Sequence, residues 1–187
     1  MNTHEHLKKK KHLVKIKSVQ HLAKTGKSIF EKPKYAFFGS FDPFTKGHFK
    51  VYTQAVNDLQ EEVAFVIVKS LFKNNPTFSL EDREAIIKSY VTKANVYYAR
   101  DYYEIKKLKV RSVKIIKGRR DPEDEAHTNF VFDFYGIPKQ KLHQVNVGGT
   151  YRNISSRTLK ELIKKGELET AAAFANDFTI QRLKSVL

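Results

Sequence analysis

From Lys34 onward, short apolar runs rich in β-branched and aromatic residues alternate with stretches of helical periodicity. This alternation constrains the fold more than any other feature of the chain. Tyr35 to Phe38, Val63 to Val68, Val96 to Ala99, Val113 to Ile116 and Leu142 to Val147 read as strands. Between them, helices are expected at about His48 to Asp58, Leu80 to Thr92, Tyr102 to Leu108 and Glu123 to Tyr135. Strands separated by helix-length segments argue for a parallel sheet covered by helices on both faces. Ser79-Leu-Glu-Asp82 has the spacing of an N-cap with an acid at N3, and Gly136-Ile-Pro138 marks a helix stop. Beyond the last strand, Ser155 to Lys165 and about Glu167 to Val186 read as C-terminal helices broken at Gly166. The expected fold class is α/β, an open parallel five-stranded sheet.

Length and charge narrow the function. A chain of 187 residues is long enough to bury one core of ordinary size, so one active site is the default. The sequence holds no cysteine, which excludes disulfides, a thiol nucleophile and a Cys-type zinc site. It shows neither a run of apolar residues long enough to span a bilayer nor the pattern of a secretory signal, so a soluble, cytoplasmic protein with no membrane partner is expected. The net charge is +15, but residues 1–34 carry ten lysines against Glu5 and Glu31 and so contribute about half of it. Residues 1–33 read as a basic extension and 34–187 as the functional domain. The domain's own moderate charge suits phosphate-bearing ligands without requiring nucleic acid.

The extension offers two imitations of chemistry. Thr25-Gly-Lys-Ser28 resembles the end of a P-loop, yet His21 stands where the first glycine is required and no apolar strand precedes it. His4, His6 and His12 supply imidazoles at a spacing better explained by a solvated tail than by a metal site. Residues 8–17 are basic with little aromatic interleaving, so base stacking, and hence a nucleic-acid partner, is poorly supported.

In open α/β sheets, ligands bind beyond the carboxyl ends of the strands, beside helix N-termini. Gly39-Ser40-Phe41-Asp42-Pro43-Phe44-Thr45-Lys46-Gly47-His48 follows the first strand and opens the first helix. Gly39 and Gly47 permit close backbone approach, Ser40 offers a hydroxyl, and His48 lies near a helix start. This stretch resembles the G-[ST]-F-D-P-x-[TH]-x-G-H signature of the HIGH-type nucleotidyltransferases. Thr45, where nicotinate-nucleotide adenylyltransferases and cytidylyltransferases commonly carry histidine, makes it similar to the bacterial phosphopantetheine adenylyltransferases. Phe78-Ser-Leu-Glu-Asp-Arg83 resembles their F-[TS]-L-E-E-R, Lys117-Gly-Arg-Arg120 their R-G-L-R, and Ile154-Ser-Ser-Arg157 their I-S-S-[ST].

That resemblance covers about Lys34 to Leu187 and implies a Rossmann-like adenylyltransferase of coenzyme A biosynthesis. It would join ATP to 4′-phosphopantetheine and release pyrophosphate. It also implies a homo-oligomer, with a hexamer as one candidate form. His48 inherits contact with the triphosphate and stabilisation of the departing pyrophosphate. Arg120 is expected to hold the β- and γ-phosphates, and Gly39, Ser40, Phe41, Gly47, Lys117, Gly118, Ile154, Ser155 and Ser156 to complete the ATP site. Ser40, Lys73 and Lys117 are expected at the acceptor. Catalysis would rest on His48, Arg120 and Lys73, with Mg²⁺ held mainly by the ATP phosphates and no protein metal ligand. The pattern departs from the family in four places, one of them Arg157, where a small hydroxyl residue is usual. Lys117 replaces an arginine, Lys73 precedes the aligned Asn74 by one position, and Asp121-Pro-Glu-Asp-Glu-Ala-His127 stands where D-F-E-x-E is usual. An adenylyl- or cytidylyltransferase acting on nicotinate mononucleotide or another phosphorylated acceptor is therefore one alternative, and a basic nucleic-acid-binding protein on a degenerate enzyme scaffold is the other.

Overall fold

The computed structural model describes residues 33–68, 75–99 and 113–187. Five strands form one parallel sheet: β1 (Tyr35–Gly39), β2 (Val63–Val68), β3 (Val96–Ala99), β4 (Lys114–Arg119) and β5 (Leu142–Asn146). Their order is β3-β2-β1-β4-β5. The chain winds outward from β1 to one edge, then crosses to β4 on the other side. β1 and β4 are therefore neighbours whose outgoing connections diverge, the switch at which open α/β sheets place their ligand crevice.

Six helices accompany the sheet among the described residues: α1 (Lys46–Leu59), α2 (Leu80–Tyr90), α3 (Pro122–Tyr135), α4 (Ser156–Lys165), α5 (Leu168–Phe174) and α6 (Asp177–Lys184). β1, β2 and β3 are buried on nearly every residue, as parallel strands covered on both faces are, whereas β4 and β5 are mostly half-buried. Phe37 pairs in register with Phe65 on one side and Ile116 on the other, placing three apolar side chains across the sheet centre. Phe65, Ile67, Ile86, Ile116 and Leu159 are excluded from solvent. Burial of a side chain of this size contributes about 1.5–3 kcal/mol.

The expected cap at Ser79 is present, its side chain accepting from Asp82 N–H at 3.0 Å. Gly136 ends α3 in the left-handed region at φ 59, as the Gly-Ile-Pro stop requires. Two expectations are corrected. The fourth strand does not end at Ile116 but runs to Arg119, so Lys117, Gly118 and Arg119 are strand residues rather than loop. The long terminal helix is two helices, because Asn176 leaves the helical region and caps α6, accepting from Thr179 N–H at 3.0 Å. The helix expected at Tyr102 to Leu108, the residues Lys73 and Asn74, and the whole extension with its P-loop imitation and histidines lie outside the described residues.

Candidate active site

The turn between β1 and α1 is built from aromatic burial. Phe41 and Phe44 are both inaccessible, with ring centroids 5.5 Å apart, and Phe44 meets Phe65 at the same distance. Phe41 adopts φ 45, a left-handed conformation that an aromatic residue rarely takes and that costs about 1–3 kcal/mol. Burial of its ring against Phe37 and Phe65 offsets that cost. A Cβ on Gly39 would lie 2.6 Å from the Phe41 ring, so the glycine makes room for this side chain. Phe41 was expected at ATP, but its ring belongs to the core and only its backbone can serve a ligand.

Thr45 caps α1 and fixes the chemistry of His48. The Thr45 backbone N–H donates to His48 Nδ1 at 3.1 Å, and the Thr45 hydroxyl lies 2.9 Å from the same nitrogen. A backbone N–H can only donate, so Nδ1 is the acceptor and the ring proton is left on Nε2. The imidazole stacks on Phe44 at 5.3 Å and meets the edge of Phe41 at 5.4 Å. A half-buried histidine is thus held at a helix start with its ring proton on Nε2.

Asp42, which sequence reasoning left without a role, anchors the same turn. Its side chain is 2% exposed. Its two oxygens accept from the backbone N–H groups of Thr77 and Phe78, each at 3.0 Å. Arg83 Nε and Lys160 Nζ stand 3.9 and 3.7 Å from it. Arg83 also donates from Nη1 to the Ser40 carbonyl at 3.2 Å and from Nε and Nη2 to the Phe78 carbonyl. Burial pulls the Arg83 pKa below the ordinary arginine value, and Asp42 opposes that shift. The F-S-L-E-D-R stretch therefore has a structural function: it clamps the turn that carries Ser40. The partners lie more than thirty residues apart, and no local pattern in the sequence announces them.

The Ile154-Ser-Ser-Arg157 segment meets this turn directly. A Cβ on Gly47 would lie 3.1 Å from the Ile154 carbonyl, so glycine is what lets the two segments touch. Ile154 itself is buried. Ser155 caps α4, accepting from Thr158 N–H at 3.0 Å, and its hydroxyl also pairs with that of Thr158. The Ser156 hydroxyl donates to the Pro43 carbonyl at 2.8 Å. Ser155 thus acts as the helix cap its position suggests, and both hydroxyls brace the protein. What α4 offers an anion is the N–H groups of Ser156 and Arg157, which no helical carbonyl can satisfy, since that of Thr158 is taken by the cap. Arg157 is exposed at that end.

On the other side of the switch, β4 supplies the cations. Lys117 Nζ donates to the Phe38 carbonyl at 3.2 Å, tying β4 to the end of β1. Burial pushes its ammonium pKa down, with Asp124 opposing. A Cβ on Gly118 would lie 2.7 Å from Val51 Cγ2, so α1 packs closely over the strand at that point. Arg119 pairs with Glu125 at 3.2 Å. Arg120 pairs with Asp124 through two parallel bonds, Nε at 2.6 Å and Nη2 at 2.7 Å.

A switch-point crevice flanked by an N–H-bearing histidine, a helix N-terminus and strand-end cations has the form of a nucleotidyltransferase fold. The chain belongs to the cytidylyltransferase-like family, whose model matches residues 36–162. It is similar to the phosphopantetheine adenylyltransferase of Coprothermobacter proteolyticus, 27% identical over 141 residues that cover 71% of this chain and 85% of the relative. It also resembles that of Cutibacterium acnes, 41% identical over 58 residues, which are 31% of this chain and span only 36% of the relative. Among solved structures, the fold is similar to Plasmodium falciparum nicotinic acid mononucleotide adenylyltransferase complexed with NaAD. That match has a TM-score of 0.57 at 13% identity and covers 80% of this chain and 93% of the other. Thermotoga maritima TmcAL bound with alpha-thio ATP matches at a TM-score of 0.52 and 11% identity, over 80% of this chain and 54% of the other.

Proposed function

We propose that this protein transfers the adenylyl group of ATP to 4′-phosphopantetheine, giving dephospho-CoA and pyrophosphate. The observation that carries the reading is the convergence of the His48 turn, the α4 N-terminus and the Lys117–Arg120 strand end around the β1/β4 switch. The acceptor is favoured by Thr45 in the HIGH-type motif and by the names of the two curated relatives.

In this reaction an oxygen of the acceptor phosphate attacks the α-phosphorus in line, and the bond from that phosphorus to the bridging oxygen of pyrophosphate breaks. A phosphomonoester is largely ionised near neutral pH, so the chain need supply no strong base. Its work is positioning and charge neutralisation. The Nε2–H of His48 donates to the oxygens on which charge grows. The first-turn N–H groups of α4 and the guanidinium of Arg120 hold the triphosphate. Lys117 and Ser40 receive the acceptor phosphate together with Lys73.

Mg²⁺ would neutralise phosphate charge and stabilise the leaving pyrophosphate. Among the described residues no group of three or more His, Cys, Asp or Glu is placed to hold a metal, and both Asp42 oxygens are taken by backbone N–H groups. This donor set fits an ion carried on the phosphates rather than in a protein cage. Assembly as a homo-oligomer belongs to the same proposal.

The test is a panel of acceptors assayed with ATP and Mg²⁺ for pyrophosphate release. Turnover is expected with 4′-phosphopantetheine well above that with nicotinate mononucleotide or glycerol 3-phosphate. Preference for another phosphorylated acceptor would overturn the substrate, and release with none of them would overturn the activity.

A further inference from the structure

Arg120 is the cation to which the proposed function assigns the β- and γ-phosphates, and its surroundings assign a partner as well. The inference rests on that reading. A guanidinium carries five N–H donors in a planar fork. In Arg120 the Nε–H and one Nη2–H go to the two oxygens of Asp124, and Asp124 Oδ2 also accepts from the Arg120 backbone N–H at 3.2 Å. The carboxylate thus fixes both the main chain and the side chain of the same residue. The donors left over, on Nη1 and the outer side of Nη2, make the end-on edge of the fork, which matches two phosphate oxygens.

Asp124 is itself fixed. It is the N3 residue of α3, and its N–H donates to the N-cap carboxylate of Asp121 at 2.8 Å, with Pro122 at the first helical position. Its carboxyl pKa is held below the ordinary range, first by the hydrogen bond from Arg120, and that of Arg120 is raised by the same bond. The neighbouring pair differs: Arg119 meets Glu125 through a single contact, with both side chains about two-fifths exposed. Only Arg120 has its fork fixed through two parallel bonds and its backbone tied to the same carboxylate.

We propose that Asp124 is a positioning residue that orients Arg120 so that its end-on edge grips the polyphosphate of the nucleotide. The same pairing allows a rival arrangement, in which the carboxylate competes with phosphate for the fork and must be displaced on binding. The two make opposite predictions for removal of the carboxylate.

The experiment is a double-mutant cycle on the full chain, with Arg120→Ala, Asp124→Ala and the double variant. It is read in the Kd for ATP by calorimetry and in kcat and KM for pyrophosphate release with 4′-phosphopantetheine. Asp124→Ala should weaken ATP binding about ten-fold, and the double variant should be no weaker than Arg120→Ala alone, since residues in contact lose their effects together rather than additively. Asp124→Asn keeps the shape and one acceptor and should fall between wild type and Asp124→Ala; it also serves as the reading if the alanine variant does not fold. Tighter ATP binding by either variant would show competition and overturn the proposal. Additive losses, or no loss, would show that Asp124 does not act through Arg120. If the wild type binds ATP but turns over no acceptor, the proposed function fails while the binding cycle still decides the role of Asp124.

Discussion

Two segments leave adjacent strands at the switch, and they are held by opposite means. The turn from Gly39 to His48 is fixed by burial: Phe41, Asp42, Phe44 and Thr45 are all 2% exposed or less, and Arg83, which stands beside Asp42, is buried with it. At the end of β4 the backbone is held by pairing with β5, but the side chains of Arg119 and Arg120 are held by paired charges and are 39% and 35% exposed. Burial fixes geometry independently of salt, whereas exposed pairs are screened and can change partners. Under the proposed function His48 is a donor that meets growing charge in one position, and such a donor gains from the first arrangement. A cation that must hold a mobile polyphosphate can work with the second.

The sharpest way to break this comparison is at Asp42. Asp42→Ala leaves the buried N–H of Phe78 and the partly buried N–H of Thr77 without their acceptor and strips Arg83 and Lys160 of their countercharge. Removing one member of a buried charged cluster typically costs about 3–5 kcal/mol. Urea denaturation should show a loss of that order, and a loss below about 1 kcal/mol would mean that the turn is not held by this clamp.

His48→Gln separates the cap from the chemistry, because glutamine at N3 can still accept from the Thr45 backbone. Turnover should fall by about 10², the scale of one charge-stabilising donor. The unfolding midpoint should move little. Normal pyrophosphate release by this variant would remove the imidazole from the mechanism.

Glu125→Gln probes the charged side and should do least. Loss of an exposed pair is worth under about 1 kcal/mol, and the difference from wild type should vanish as salt is raised to about 1 M. A larger effect that survives salt would place Arg119 and Glu125 with the buried arrangement.

The sheet was legible because each described strand is an apolar run between helix-length segments, and its boundaries follow where apolar pattern ends. The same rule misjudged β4. Lys117-Gly-Arg has no apolar pattern, yet it continues the strand because parallel strands emerge from the core at their carboxyl ends, where the ligand crevice lies. His48 was legible from its motif, although the tautomer required the Thr45 cap to be seen in place. The two serines were legible as a helix start, but their hydroxyl partners, Thr158 and Pro43, decide that they brace the protein. Asp42 had no local signal, since its partners come from Thr77, Phe78, Arg83 and Lys160. Asp124 did have one: an acid four residues after Arg120, just inside an Asp-Pro helix start, is positioned to fold back on the preceding arginine.

The central claim is that the bond broken lies between the α-phosphorus and the pyrophosphate, and ATP labelled separately at the α- and γ-phosphates tests it directly. With 4′-phosphopantetheine and Mg²⁺, label from the α-position should appear in dephospho-CoA and label from the γ-position in pyrophosphate. Transfer of the γ-label to the acceptor, or its release as inorganic phosphate, would contradict the account.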